Sequence, residues 1–134
     1  MRKEQKMMEY QTDSQIIMSI DVKKNRLRIH KSTLRVLGNP PYLQLLFSPK
    51  RDSIVVLTRW QAVPNGQEIR VDYNMSDSSR SFDIYSKELL DRIRKHFSGI
   101  DQRGLYRLTG FEVPEGGGVC FPLTTLSWQE VPRV

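Results

Sequence analysis

Between residues 22 and 35 the chain carries six cations, Lys23, Lys24, Arg26, Arg28, Lys31 and Arg35, with His30 among them and no Asp or Glu. Cations gathered in this way displace the counterions of a polyanion, giving an affinity that falls with salt and depends little on base sequence. Arginine can also make a bidentate contact with the edge of guanine. His30 could touch a phosphate or stack on a base, although a surface histidine with its pKa lowered by neighbouring cations is the simpler account. The bland alternative for the whole run is a strand kept soluble by positive charge. The absence of any acid favours a nucleic-acid-binding set: Lys23, Lys24, Arg26, Arg28, His30, Lys31 and Arg35.

Other reactive residue types are sparse. A single cysteine, Cys120, excludes an intrachain disulfide and a cysteine-based zinc cluster, and only His30 and His96 could supply imidazole. No nucleophile elbow or H-E-x-x-H occurs, and Asp72 and Asp77 have no histidine nearby in sequence. The expectation is therefore no enzyme, no metal and no cofactor. Gly116, Gly117 and Gly118 lack the following helix and lysine of a phosphate loop, so a flexible turn is the better reading. Lys50 and Arg51 read as a hairpin tip. Among Arg92, Arg94, Lys95 and His96, the i,i+4 spacings Glu88 to Arg92 and Asp91 to Lys95 favour intrahelical pairing. Trp60, Trp128 and Tyr106 suit stacking on bases or packing, and Cys120 a buried strand position.

These residues need elements to position them. Residues 16–22 have strand character, and 23–25 form a turn in which Asn25 tolerates the left-handed conformation. Residues 26–30 alternate strictly, setting Leu27 and Ile29 on one face and Arg26, Arg28 and His30 on the other. Ser32 is positioned to cap a short helix over 33–37, which Gly38 and Pro40 end. Strands at 42–47 and 54–57 follow, joined by a hairpin loop at 48–52. After a linker around 64–66 come a strand at 69–73, a polar loop at 77–79 and a strand at 81–85. Ser86 caps a helix to about Phe97, with Gly99 as its stop. A hairpin of 105–113 and 119–123 closes the series.

The second half repeats the first. Ile29 falls on Ile84 and Leu34 on Leu89, while residues 42–45 fall on 106–109 and 54–56 on the strand at Val119. The expected fold is α+β, mainly β, with two pseudo-repeated strand–short helix–hairpin units forming one compact barrel or sandwich. The expected organisation is a polar arm at 1–13, one domain at 14–124 with lobes at 14–60 and 68–124, and a tail at 125–134. Neither lobe is large enough to bury its own apolar face.

The run N-R-L-R-I-H-K-S-T-L-R-V-L-G, followed by Y-L-Q-L-L-F and I-V-V-L, resembles the swapped-hairpin DNA-binding domains of the AbrB/SpoVT/MraZ superfamily. Arg26, Ile29, Leu34, Arg35, Leu37 and Gly38 occupy the matching positions over residues 22–58. A weaker copy at 81–124 would resemble the two-box arrangement. His30 stands where that family has proline, Asn25 where it has the turn glycine, and Asp83 where the first half has Arg28. The resemblance implies a double-psi-like or looped-hinge β structure with DNA at the basic strand and strand–helix junction. It also implies pairing of two halves, within a chain or as a homodimer.

Net charge sharpens these expectations. The whole chain carries +6, all of it from residues 1–60; the remainder is slightly acidic. No signal peptide and no run near the ~20 apolar residues of a membrane helix is present, which fits the cytoplasm without membrane attachment. The leading expectation is a DNA-binding transcriptional regulator, of the kind a phage or mobile element encodes, with duplex DNA as partner. Its rivals are a protein-directed inhibitor or adaptor that occupies an acidic protein surface, and a nucleotide-signal-binding protein. All require the cationic ridge to stand free as one surface.

Overall fold

The computed structural model describes residues 15–62, 68–71 and 81–128. In chain order its elements are β1 (Ile17–Asp21), β2 (Arg26–Ile29), α1 (Lys31–Val36), β3 (Tyr42–Ser48), β4 (Ser53–Arg59), β5 (Ile69–Arg70), β6 (Phe82–Tyr85), α2 (Lys87–His96), β7 (Leu105–Thr109), β8 (Phe111–Glu112), β9 (Gly118–Pro122) and β10 (Ser127–Trp128). The expected arm at 1–13, the linker at 64–66, the end of the strand at 73 and the loop at 77–79 lie outside the described residues.

The architecture is α+β and mainly β, as the alternation predicts. Sheet A runs β10-β7-β1-β2-β6 and sheet B runs β5-β3-β4-β9-β8. Every pairing is antiparallel. Alternation assigns each strand an inner and an outer face. Met18, Ile20, Leu27, Ile29 and Leu108 of sheet A, with Leu43, Ile54, Val56, Val119 and Phe121 of sheet B, are fully buried. They join Leu34 of α1, Leu37 at its end, and Leu89, Leu90 and Ile93 of α2 in one apolar core.

The two pseudo-repeated units do not sit side by side as separate lobes. Each sheet takes strands from both halves of the chain. The register shows how they interleave. β2 pairs with β6 so that Arg28, at the centre, faces Asp83, its counterpart 55 residues on. To either side Leu27 faces Ile84 and Ile29 faces Phe82. β4 and β9 repeat the pattern, with Val55 facing Cys120 between the crossed pairs Ile54–Phe121 and Val56–Val119. The pairings thus have the form of an approximate twofold axis. Matching bonds tie the two units to each other, from Val22 N–H to the Gly104 carbonyl at 3.0 Å and from Val71 N–H to the Pro41 carbonyl at 2.9 Å.

Four local expectations are corrected. The strand predicted over 105–113 bends at Gly110, leaving sheet A as β7 and entering sheet B as β8. An added Cβ at Gly110 would lie 2.6 Å from the Cys120 carbonyl oxygen, so the close approach at this corner requires glycine. Ser32 does not cap α1, which starts two residues earlier than expected, at Lys31, with His30 at the cap; its hydroxyl instead donates to the Gln15 carbonyl. α2 ends at His96 because Phe97 turns extended, not because of Gly99. The predicted tail begins too early: Ser127 and Trp128 add β10 to sheet A, with the Trp128 ring edge-on to Tyr106.

Other local signals match. Ser86 Oγ accepts the Leu89 N–H at 3.2 Å as a helix cap. Asn25 turns with φ of 54° and Gly38 ends α1 with φ of 82°.

Candidate nucleic-acid interface

The outer face of sheet A carries the residues singled out by charge. Across the sheet the register sets Arg107 beside Ser19, Ser19 beside Arg28, and Arg28 beside Asp83. The next row brings Asp21, Arg26 and Tyr85 together. Lys23 and Lys24 stand exposed in the β1–β2 turn next to that row, while Lys31 and Arg35 lie on α1, beyond the opposite end of β2.

This corrects the expectation of one free cationic ridge: Arg26 and Arg28 are paired with carboxylates, and Lys31 and Arg35 lie apart on α1. Among the described residues the free cations of this face are Lys23, Lys24 and, from the second half, Arg107. Arg28 donates through Nε and a terminal nitrogen to the two oxygens of Asp83, at 2.7 and 3.0 Å. This hydrogen-bonded pairing holds the Asp83 carboxyl below its ordinary range and raises the Arg28 guanidinium. Arg26 lies 3.4 Å from an Asp21 oxygen, with both side chains more than four-fifths buried. The acid-free window from 22 to 35 is thus balanced by acids from outside it, one before the window and one from the second half. Lys23, Lys24, Lys31, Arg35 and Arg107 have no carboxylate partner among the described residues.

His30 is half-buried, and its Nε2 shares a 2.7 Å hydrogen bond with Ser19 Oγ. Burial, followed by the charges of Arg107 and Arg28, lowers its pKa from the ordinary histidine value. Near pH 7 the imidazole is neutral, so it does not add to the cationic count. Ser19, His30, Arg28 and Arg107 form one local group with hydrogen-bonding and anion-holding capacity.

Arg107 and Tyr85 are the residues that charge counting in a local window overlooks. Both have a sequence signal: in L-Y-R-L-T alternation puts Arg107 opposite buried Tyr106 and Leu108, and in F-D-I-Y it puts Tyr85 opposite Ile84. Tyr85 is 65% exposed. Trp60 and Trp128 are also exposed, whereas Tyr106 is buried with its hydroxyl accepting the Asp101 N–H at 2.8 Å.

The remaining candidates fall elsewhere. Lys50 and Arg51 form the 3-10 turn between β3 and β4. Asp91 pairs with Lys87 at 2.8 Å and Arg94 at 3.6 Å, not with Lys95, which corrects the predicted spacing. His96 hydrogen-bonds Asp52 and meets the Phe47 ring edge-on, tying α2 to the β3–β4 hairpin. Gly116 and Gly117 make the β8–β9 turn with positive φ. Cys120 is a buried free thiol. On the outer face of sheet B, Leu46, Val55, Cys120 and Phe111 form an apolar cross-strand row, with Phe111 52% exposed.

Among the described residues, no three of His, Cys, Asp and Glu gather where they could hold a metal ion, and no helix is long and apolar enough to cross a membrane. No family model, curated protein or solved structure matches the chain.

Proposed function

We propose that this chain is a nucleic-acid-binding protein whose contact surface is the outer face of sheet A together with the β1–β2 turn. One observation carries the reading: Arg107, from the second half of the chain, joins Arg28 on either side of Ser19, beside the exposed Lys23 and Lys24. Cations contributed by strands far apart in sequence thus share one face. Arg28 has only Nε and one terminal nitrogen committed to Asp83, so its other terminal N–H groups can still meet a phosphate. A role as a transcriptional regulator, and the relationship to the AbrB-like superfamily, belong to the same proposal. The interleaving of two strand–helix–hairpin units supports that relationship.

The test is a titration of labelled oligonucleotides at roughly 50 and 200 mM salt, wild type against Arg107→Ala and Lys23→Ala/Lys24→Ala. The reading predicts a steep salt slope that flattens by about one unit for each phosphate contact removed. A protein that shifts no oligonucleotide at the lower salt would overturn it.

A second reading, a protein-directed inhibitor or adaptor, draws on the apolar row of Leu46, Val55, Cys120 and Phe111 on sheet B. Stoichiometric capture of a defined nucleic-acid-binding protein, abolished by Phe111→Ser and accompanied by no oligonucleotide shift, would select it.

A further inference from the structure

We infer that the outer face of sheet A takes a single-stranded nucleic acid, with a base stacked on the Tyr85 ring and neighbouring phosphates held by Lys23, Lys24 and Arg107. The inference rests on the nucleic-acid reading above but not on its duplex-reading regulator role, which a single-strand preference would replace.

The first argument is steric. One way in which β structure reads the base edges of duplex DNA is as a two-stranded ribbon in the major groove, about 12 Å wide. β2, which bears Arg26 and Arg28, is instead an interior strand, with β1 on one side and β6 on the other. At a strand spacing of about 4.8 Å the five strands span roughly 20 Å, too broad to enter that groove. Interior cations on a broad sheet can still meet a flexible strand laid across its surface.

The second argument is chemical. An exposed aromatic ring among cations provides what an unpaired base needs, a π-face and a nearby counter-charge for its phosphate. Tyr85 faces Arg26 across the β2–β6 pair and stands 65% exposed. Its position is fixed by both neighbours: Ile84 is buried in the core, and the Ser86 N–H donates to the Asn25 carbonyl at 2.9 Å. That bond places the end of β6 against the turn carrying Lys23 and Lys24. Arg107 lies three strands away, about 14 Å across the face. Asp21 and Asp83 hold Arg26 and Arg28 between these two sites, ordering the guanidinium groups before any ligand arrives.

The test is fluorescence anisotropy with labelled oligo-dT, oligo-rU and a mixed-sequence duplex, each about a dozen nucleotides long, at low salt. Capture of either single strand at least tenfold more tightly than the duplex is expected, and the tighter of the two assigns the sugar. Tyr85→Ala should weaken single-strand binding by about 5- to 100-fold, and Tyr85→Phe should retain it to roughly twofold. Circular dichroism of both variants checks folding. Equal or tighter capture of duplex overturns the single-strand inference while leaving nucleic-acid binding in place. Single-strand preference with Tyr85→Ala unchanged overturns the stacking site. Failure of every oligonucleotide to bind overturns the underlying reading itself.

Discussion

Ser19 and His30 meet across the β1–β2 pair through a 2.7 Å hydrogen bond, next to two arginines that repel a proton from the imidazole. Because burial and these charges depress the His30 pKa in the folded state, the unfolded chain takes up a proton more readily. Stability is therefore complete above the ordinary histidine value of about 6.5 and falls as pH drops through it toward the folded value. Urea midpoints measured against pH should show this loss in the wild type and a flatter profile in His30→Gln. A His30→Gln profile as steep as the wild type would exclude the imidazole as its source.

The same linkage predicts a response to ligand. An anion at Arg28 and Arg107 offsets the two charges that lower the His30 pKa. Oligonucleotide binding should raise that pKa, and affinity should increase as pH falls below about 6.5. NMR titration of the imidazole with and without oligonucleotide reads the shift directly; an unchanged pKa would place the ligand away from Ser19 and His30.

The Arg28–Asp83 pair predicts a second loss of stability at lower pH. The carboxyl pKa is depressed, so its stabilisation is present above the ordinary aspartate value of about 3.9 and disappears as pH falls through the folded value. The side chains are 39% and 26% exposed, which limits the pair to about 0.5–1 kcal/mol. A double-mutant cycle of Arg28→Ala and Asp83→Ala should return a coupling in that range at neutral pH and none at low pH.

Two glycines should fail for different reasons. Gly110→Ala places a methyl group against the Cys120 carbonyl and the Phe121 ring, and should cost about 1–3 kcal/mol. Gly116→Ala meets nothing within 4 Å but has φ of 81°, and should cost about 1 kcal/mol. Chemical denaturation of both variants distinguishes crowding at the strand corner from backbone strain in a turn.

Ser86→Ala should lower stability by about 1 kcal/mol through loss of the Leu89 cap, while Ser32→Ala, whose hydroxyl only meets Gln15, should cost less. Equal losses would mean that the cap at α2 adds nothing specific.

Much of this fold is legible in local pattern. Strict alternation identifies Leu27 and Ile29 as inward-facing, and helical spacing does the same for Leu89, Leu90 and Ile93. The strand–helix–hairpin repeat is legible for the same reason. The partner of each strand is not, because alternation specifies a face and not a neighbour. Asp83 therefore reads as a missing cation in the second half, when its position opposite Arg28 makes it the counter-charge of the first. Arg107 joins the group at Ser19 and Arg28 only once β7 is placed beside β1. Ser32 has the residue type of a cap, yet Thr33 secures this junction by accepting the Ile17 N–H at 2.7 Å and donating to the Ile17 carbonyl.

The central position of Arg28 and Asp83 in the β2–β6 register carries a consequence for how two such units can be joined. Two identical copies docked on that axis would bring each side chain against its own duplicate, arginine on arginine or aspartate on aspartate. One polypeptide bearing both copies escapes that rule, because its two sides can carry opposite signs. Covalent fusion thus permits an electrostatic latch at a place where a homodimer of either half would meet self-repulsion.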